Sequence, residues 1–264
     1  MVEVKFDENL SKHEQKDMEL FNSISRKYLN KDLSIHSSLA RKERLMSSLQ
    51  YANIQKTDRI LEIGCGAGFS VKYLDIPYSE YVGVDYSEGL IDYAIRYNSS
   101  EKAKFICANI RDFKPEEKFD LVFMIGVLHH FDDFEVIMEH IVDLLKPGAV
   151  LIANEPQSSN KIVQLLRQFR TKFDKGYSED QIQFLPHELE KIFQKSGMEK
   201  VQTFSQGYFS TPFAEVILKP TWLFYPITKV SIFFDQLIQK NSKNIMGWNV
   251  VGLGVKSIKD KTND

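Results

Sequence analysis

The chain has 264 residues, of which 43% are hydrophobic and 27% are charged, values typical of one globular α/β domain with insertions. Its net charge of -2 gives no electrostatic attraction to nucleic acid, so we expect no nucleic-acid partner. We recognise no signal peptide and no uncharged apolar window of about 18 residues. The two cysteines suit reduced core thiols, so we expect a cytoplasmic protein.

The first fifty or so residues predict two helices ahead of the first strand. Apolar side chains recur at helical spacing in two groups, Met18, Phe21, Ile24 and Tyr28, and then Leu39, Leu45, Met46 and Leu49. The break between the helices is expected at Asp32 or within 34–38. We interpret residues 1–53 as an N-terminal helical cap.

The stretch 60–70, ILEIGCGAGFS, combines an apolar run with a glycine-rich turn. The run carries one acidic residue, Glu62, and leads into Gly64, Gly66 and Gly68. This pattern predicts a buried strand that stops at a turn which only glycine can make, followed by a helix. A turn without side chains allows a ligand to approach the backbone closely.

Spacing and charge indicate which ligand this turn would bind. The dinucleotide fingerprint G-x-G-x-x-G needs its third glycine where Phe69 stands, which disfavours a nicotinamide-dependent oxidoreductase. Glu62 would repel a pyrophosphate but attract a ligand with ammonium and sulfonium groups, which describes S-adenosylmethionine. The motif E-x-G-C-G-x-G after a buried strand resembles the first motif of the class I, seven-stranded S-adenosylmethionine-dependent methyltransferases.

The resemblance covers residues 54–156 well and implies a set of cofactor-binding residues. They are Glu62, Gly64, Cys65, Gly66, Gly68, Asp85, Tyr86, Leu90, Asn109, Ile110 and Ile125. In such enzymes the N-terminal helices cover the cofactor, and a Tyr or Arg reaches its methionine end. The candidates for that role are Tyr28, Arg41 and Arg44, of which we choose Arg44, although solvated arginines on a helix face are the alternative.

The second predicted strand, 81–85 (YVGVD), ends in an acidic residue. Asp85 follows the first glycine of the turn by about 20 positions, a distance at which an acid accepts hydrogen bonds from both ribose hydroxyls. In the family an apolar residue in the following helix packs on adenine, a role that would belong to Tyr86 and Leu90. Ser87 also suits an ordinary helix N-cap, and the two interpretations are compatible.

The third predicted strand, 104–108 (KFICA), is followed by Asn109. The family usually has an acidic residue at this position, which accepts a hydrogen bond from the adenine amino group. Asn109 can still accept through its carbonyl oxygen. Asp112 is the alternative acceptor if the register differs by a few residues.

The fourth predicted strand, 119–125 (FDLVFMI), is nearly all apolar, as expected for a central parallel strand. The loop after it contains His129 and His130 and should face the same crevice as the glycine turn. We consider His130 a candidate catalytic base or substrate contact, with a structural histidine as the alternative. Some related quinone O-methyltransferases hold a metal with carboxylates in this loop. Because Gly126 and His129 stand at those places, we predict no metal.

A helix is predicted from Asp132 or Asp133 to Leu145, and residues 146–148 should end it before a fifth strand at 149–154. A basic helix follows at about 159–175. It would have Ile162, Leu166, Phe169 and Phe173 on one face. Its five basic residues outnumber the single acidic one, which indicates a solvated face or attraction to an anionic substrate or lipid surface.

A last core helix should end at Gly197, and the strands 201–204 and 250–255 should form an antiparallel edge. Between these strands lies an insertion, 207–247, with eight large aromatic residues and three prolines that we expect to divide it into short pieces. One helical face would have Val230, Phe233, Phe234 and Leu237. We interpret the insertion as a hydrophobic cover over an acceptor pocket, while a dimer contact, an interfacial membrane anchor and core packing remain open.

The predicted fold is α/β, a doubly wound, mostly parallel seven-stranded sheet with an antiparallel edge. The predicted units are the cap (1–53), the cofactor-binding core (54–206), the insertion (207–247) and a final strand and tail (248–264). The resemblance implies methyl transfer from S-adenosylmethionine to a small or lipid-like acceptor, with O-methylation using His130 as the base as one form of it. A non-catalytic S-adenosylmethionine-binding subunit or sensor is the alternative. Peripheral membrane contact, the acceptor and the oligomeric state remain open.

Overall fold

A computed structural model describes residues 11–173, 182–215, 219–241 and 246–258. Its centre is a seven-stranded sheet in the order β3-β2-β1-β4-β5-β7-β6. The strands are β1 (Arg59–Ile63), β2 (Glu80–Asp85), β3 (Ala103–Cys107), β4 (Phe119–Ile125), β5 (Leu145–Pro156), β6 (Met198–Gln206) and β7 (Asn249–Lys256). Strands β1 to β5 pair in parallel, and β7 runs antiparallel to both β5 and β6. The predicted mixed sheet with an antiparallel edge is confirmed.

Nine α-helices lie in the described part of the chain. They are α1 (Lys12–Asp32), α2 (Ile35–Tyr51), α3 (Ser70–Tyr73), α4 (Glu88–Asn98), α5 (Phe134–Asp143), α6 (Lys161–Phe173), α7 (Pro186–Lys195), α8 (Thr211–Glu215) and α9 (Thr221–Asn241). The break between α1 and α2 falls at Leu33 and Ser34, beside the predicted positions. None of the helices among the described residues is both long and apolar enough to cross a bilayer.

The core has one layer on each face of the sheet because successive strand residues point to opposite sides. Leu61 and Val122 belong to the layer that includes α5 and α7, whereas Ile60 and Leu121 belong to the layer with α1, α2 and α4. These side chains are fully buried. Burial on both faces explains why β1 and β4 are nearly continuous apolar runs.

The order in which strands are added to the sheet reverses between β1 and β4. These two strands are neighbours in the sheet although β2 and β3 lie between them in the chain. In doubly wound sheets a crevice opens outside the carboxyl ends of the strands at such a switch point. The residues that follow β1 and β4, beginning with Gly64 and Gly126, therefore share one crevice.

Hydrogen bonds define the start of α1 and connect its middle to this crevice. Helix α1 begins with a capping box, in which Ser11 N donates to Glu14 Oε2 (2.9 Å) and Glu14 N donates to Ser11 Oγ (3.2 Å). In its middle, Asn22 Oδ1 accepts from Ser87 Oγ (2.7 Å) at the start of α4. Helix α1 thus lies across the carboxyl end of β2.

The predicted start of β5 was wrong, and on α6 the described part of the predicted apolar face is turned towards solvent. Strand β5 begins at Leu145 and includes the segment 146–148 that was expected to precede it. On α6, Ile162 and Leu166 are exposed, and Val163 makes the buried contact instead. The reason is that α6 turns polar groups inward, where Arg167 Nη1 donates to Gln157 O (2.8 Å). The predicted Phe169 and Phe173 positions cannot be compared in this way, because the side chains of 168–173 and the residues 174–175 lie outside the part of the chain that the structure describes.

The insertion also differs from its prediction, because α9 continues for 21 residues through Pro226. Proline leaves the carbonyl four residues earlier without a helical partner. In α9 this is the carbonyl of Trp222, a residue that is exposed to solvent. Helix α9 packs on the outside of α2, where Tyr51 Oη donates to Gln239 O (2.7 Å).

Candidate active site

The glycine turn after β1 is shaped by three positive φ angles, 67° at Gly64, 54° at Gly66 and 73° at Gly68. These values lie in the left-handed region that favours glycine. A Cβ on Gly64 would lie 2.4 Å from Val127, and one on Gly68 would lie 2.4 Å from Phe105. A Cβ on Gly66 would meet nothing within 4 Å. Gly66 therefore borders open space, while the other two glycines allow close packing.

Glu62 is buried at the carboxyl end of β1, where its carboxylate accepts hydrogen bonds from Ser70 Oγ (2.7 Å) and from Tyr81 Oη. Burial raises the pKa of Glu62 to about 8, against the opposing effect of these two donors. A cationic ligand placed beside this carboxylate would favour its ionised form.

Asp85 lies at the carboxyl end of β2 with both carboxylate oxygens engaged by the backbone. Oδ2 accepts from Gly66 N (2.9 Å) and Oδ1 from Ser87 N (2.9 Å). Burial raises the pKa of Asp85, and these hydrogen bonds act in the opposite direction. Each oxygen retains acceptor capacity, as a ribose-binding carboxylate requires.

The predicted adenine region lies along α4 and the 3₁₀ turn after β3. Asn109 caps that turn, with its Oδ1 accepting from Arg111 N (3.1 Å), and it lines the same cavity as Tyr86 and Leu90. Asp112, the alternative acceptor, is exposed and does not line the cavity. Asn109 therefore stays the predicted contact, and the structure disfavours Asp112.

The loop after β4 is held by Glu155, a fully buried residue of β5. Its Oε1 accepts from Val127 N (3.0 Å) and Leu128 N (2.8 Å), and its Oε2 lies 2.8 Å from His129 Nδ1. Burial lowers the pKa of His129. Glu155 thus fixes the loop and the His129 ring, which positions the neighbouring His130.

His130 contacts the cap helix rather than the core. Its Nδ1 lies 2.6 Å from Asp17 Oδ2 on α1, and its ring packs edge-on against Phe21. Burial acts to raise the pKa of Asp17, but the hydrogen bond with His130 and the electrostatic effect of the neighbouring histidines outweigh it and lower that pKa. His13 Nε2 is 3.5 Å from the same Asp17 oxygen. The ligand atoms of His13, Asp17 and His130 all lie within 4.8 Å of one another, close enough to hold a metal ion.

An ion-pair network joins α1 to the core next to this site. Arg111 Nε donates to Glu14 Oε1 (3.1 Å), and Arg111 Nη2 donates to Asp133 Oδ1 (2.5 Å). Glu14 is buried beneath the network. These contacts hold the first half of α1, and with it Asp17, against the loop after β3.

Residues of the glycine turn, the ends of β1 and β2, the loop after β4 and helix α1 border one cavity of about 760 Å³. That volume is within the usual range for small-molecule sites. Eleven of the twelve predicted cofactor residues line it, together with Tyr28, Arg41 and His130. The exception is Gly68, which instead packs against Phe105. The residues are thus brought together, and their roles stay predictions.

The far end of the cavity is formed by residues from the end of β5, from α6, from just before α7, from the start of α8 and from the start of β7. They are Pro156, Gln164, Arg167, Gln183, Thr211, Trp248 and Asn249. Of the described part of the insertion, Thr211 alone lines the cavity, so the predicted cover does not lie over it. Sequence reasoning missed most of this end because these residues come from distant segments without a shared motif.

The sequence-based prediction also missed Asp17 and Glu155, which are the acidic partners of His130 and His129. Glu155 had one usable signal, since it is an acid at the carboxyl end of a central strand. Asp17 had no local signal, because its partner is 113 positions away.

These residues fit S-adenosylmethionine. Gly66 leaves open space beside the backbone, and buried carboxylates stand at the ends of β1 and β2. The hydroxyl of Tyr86 is buried and has no hydrogen-bond partner among the described residues. A ligand with several hydroxyl and amino groups would satisfy such atoms.

Comparisons with known proteins agree with this assignment. Residues 38–203 match the family model described as a methyltransferase domain. The trans-aconitate 2-methyltransferase of Enterobacter sp. (strain 638) is 29% identical over 120 residues, which are 45% of this chain and 46% of that protein. The ubiquinone biosynthesis O-methyltransferase of Bradyrhizobium diazoefficiens is 31% identical over 98 residues, 36% of this chain and 39% of that protein. The matches thus span less than half the length of these relatives.

A solved structure is similar over most of the chain. It is a Thermotoga maritima protein titled an S-adenosylmethionine-dependent methyltransferase and possible histamine N-methyltransferase, with a TM-score of 0.64 at 19% identity, covering 91% of this chain and 99% of that one. At this identity the likeness shows the fold. The family model matches more than half of the chain, which therefore belongs to the class I S-adenosylmethionine-dependent methyltransferases.

Proposed function

We propose that the protein transfers a methyl group from S-adenosylmethionine to an oxygen atom of a small molecule, with His130 as the base. The observation that carries the proposal is that one cavity contains both the predicted cofactor residues and a histidine held by a buried carboxylate. The alternative, a binding subunit without catalysis, would have no use for an oriented histidine.

At the cofactor end, three features of the chain would do the binding. Glu62 would attract the methionine ammonium, Asp85 would accept from the ribose, and Gly66 would allow close approach of the backbone. The cofactor, when bound, supplies a methyl group attached to a positively charged sulfur.

At the acceptor, His130 would remove the hydroxyl proton. With Nδ1 donating its proton to Asp17, the neutral ring keeps its lone pair on Nε2, and that atom would take the hydroxyl proton. The acceptor oxygen would bond to the methyl carbon as the carbon–sulfur bond breaks, which leaves neutral S-adenosylhomocysteine. One matched relative is named an O-methyltransferase, which favours oxygen as the atom methylated.

The acceptor would lie towards the far end of the cavity, which mixes amide, hydroxyl and aromatic groups. Gln164 and Gln183 offer hydrogen bonds, and Trp248 offers an apolar surface. Such a lining suits a molecule with an apolar body and a few polar groups.

The test is to incubate the purified protein with methyl-labelled S-adenosylmethionine and fractionated cell extract, and to identify labelled products by mass spectrometry. Asp85→Ala is the control that should lose the label. A protein that binds the cofactor tightly but labels no fraction would be a binding subunit instead.

A second form of the mechanism is favoured by the cluster of His13, Asp17 and His130. These groups are ordinary ligands of divalent transition metals, and a bound ion could hold the acceptor oxygen. We propose the metal-free form because Asp17 and His130 are already at hydrogen-bond distance. Turnover that falls on dialysis against a chelator, and returns with one divalent ion, would establish the metal form.

A further inference from the structure

Helix α9 turns a mostly polar side inward and its apolar side outward. Thr228, Ser231 and Asp235 are buried against the protein, together with the apolar Ile232. The outward side chains, together with the nearby Phe209, define what we call the α9 face: Phe209, Trp222, Leu223, Ile227, Val230, Phe233, Phe234 and Leu237. Trp222 is 78% exposed, Phe233 58% and Val230 55%. A helix packed only for the stability of a monomer would have the opposite orientation.

Hydrogen bonds fix this orientation. Asp235 accepts from Phe209 N (2.7 Å) and from Ser210 Oγ (2.6 Å), so its buried carboxylate is satisfied. Rotation of α9 to bury its apolar side would leave these buried donors and acceptors unpaired, which is costly. The apolar face is therefore held outward by the fold.

The α9 face is continuous and shallowly grooved. The rings of Phe209 and Phe234 are 6.4 Å apart, and those of Phe233 and Phe234 are 5.7 Å apart. A groove beside Phe209 and Phe234 is also lined by Pro226, Ile227, Val230 and Ser231. Continuous exposed apolar surfaces of this kind usually mark sites of interaction.

The exposed charges on α9 itself and on Lys219 just before it have one sign, while the acidic Glu43 of α2 beside the helix is half-buried and accepts from Gln236 Nε2 (3.0 Å). Among the described side chains of 219–239, the exposed charged groups are Lys219 and Lys229, whereas the acidic Asp235 is buried. Aromatic and aliphatic side chains beside lysines are typical of helices that lie in the interface of a membrane. Anionic headgroups would complement the lysines.

We propose that the α9 face binds the surface of a membrane that contains anionic lipids. The helix would lie in the plane of the interface, with Trp222 and Phe233 among the acyl chains and Lys219 and Lys229 at the headgroups. This inference does not depend on the proposed methyl transfer.

A second copy of the chain fits the face less well. A twofold contact would place two copies of the same surface together. Both would bring exposed lysines, and the described residues of the face offer no exposed acidic partner for them.

The test is co-sedimentation with vesicles of phosphatidylcholine alone and with about one quarter phosphatidylglycerol. Wild-type protein should bind the anionic vesicles, more weakly at high salt, and bind the neutral vesicles poorly. Trp222→Ser combined with Phe233→Ser should lower binding about tenfold or more, given the apolar surface removed. Lys229→Glu should lower binding to anionic vesicles only.

The matched control combines Ile95→Ser and Val136→Ser, exposed apolar residues on α4 and α5. It should bind vesicles like wild type, and circular dichroism should show all variants folded. The chain has two tryptophans, so Trp222 emission can be followed in a Trp248→Phe background and should shift to the blue on binding. Three results would overturn the proposal: no vesicle binding, equal loss in the control, or a dimer that Trp222→Ser with Phe233→Ser dissociates without any vesicle binding.

Discussion

His130 Nδ1 lies 2.6 Å from Asp17 Oδ2, although the two residues are 113 positions apart in the chain. The contact joins the cap helix α1 to the loop after β4 at the edge of the cavity. It orients the imidazole and, in the proposed mechanism, leaves Nε2 to accept a proton. The two residues should therefore behave as a unit.

Substitution of either residue should reduce turnover much more than cofactor affinity. For His130→Ala we expect a loss of about 10² to 10⁴-fold in kcat, the usual contribution of a general base. Asp17→Asn should cost less, and the double variant should be hardly worse than His130→Ala. The measurement is kcat with the identified acceptor, alongside calorimetric affinity for S-adenosylhomocysteine. His187→Ala, which removes an exposed histidine, is the control, and wild-type turnover in His130→Ala would make that histidine structural.

Asp85→Ala should weaken binding of S-adenosylmethionine and S-adenosylhomocysteine. The loss of hydrogen bonds to a charged acceptor costs about 1.5 to 3 kcal/mol, or roughly ten- to a hundredfold in affinity. Calorimetry gives the affinities directly. Asp112→Ala removes an exposed carboxylate outside the cavity and should have no effect. Equal affinity in wild type and Asp85→Ala would contradict the ribose assignment.

These two predictions differ in how much of them the sequence supplies. Asp85 and the glycine turn are local signals, because a strand, a turn and the following residue are adjacent in the chain. The fold could be predicted equally well, since apolar runs such as those of β1 and β4 indicate burial on both faces of the sheet. Asp17 and Trp248 could not be assigned, because only the tertiary fold brings α1 and the start of β7 to the cavity.

The failures have physical causes as well. For α9, the pattern of apolar side chains correctly predicted one helical face but could not tell which side faces the protein. The decisive group is Asp235, whose partners Phe209 and Ser210 lie about 25 positions earlier. On α6, the inward hydrogen bonds of Arg167 likewise determine the orientation.

Affinity for S-adenosylhomocysteine should rise with pH through the titration of Glu62. Because burial raises the pKa of Glu62 to about 8, the empty site holds a protonated carboxyl at pH 6 to 7. An ammonium group binds the ionised form better, so binding releases a proton, and affinity should increase by up to about tenfold per pH unit below 8. The same raised pKa means that the empty protein loses stability as pH rises from about 4.5 towards 8.

The measurement is calorimetry at pH 6, 7 and 8 in buffers of different ionisation enthalpy, which counts the released protons. Glu62→Gln should bind more weakly, release fewer protons and show a flatter pH profile. Proton uptake by the wild-type protein on binding would contradict the assignment.

Gly66→Ala and Gly68→Ala form a matched pair, of which the first should mainly lower cofactor affinity and the second should mainly lower stability. Both positions have a positive φ, 54° and 73°, so both substitutions cost roughly 1 kcal/mol in backbone strain. At Gly68 the new Cβ would also lie 2.4 Å from the Phe105 ring in the core, which adds the usual overpacking cost of about 1 to 3 kcal/mol. At Gly66 the new methyl meets no protein atom within 4 Å and occupies space beside the cavity.

We therefore expect Gly68→Ala to lower Tm more, and Gly66→Ala to lose more affinity for S-adenosylhomocysteine relative to its loss of stability. Denaturant unfolding and calorimetry on the same preparations separate the two effects, and a Gly66→Ala protein that binds the ligand normally would show that the cofactor does not approach the backbone at that residue.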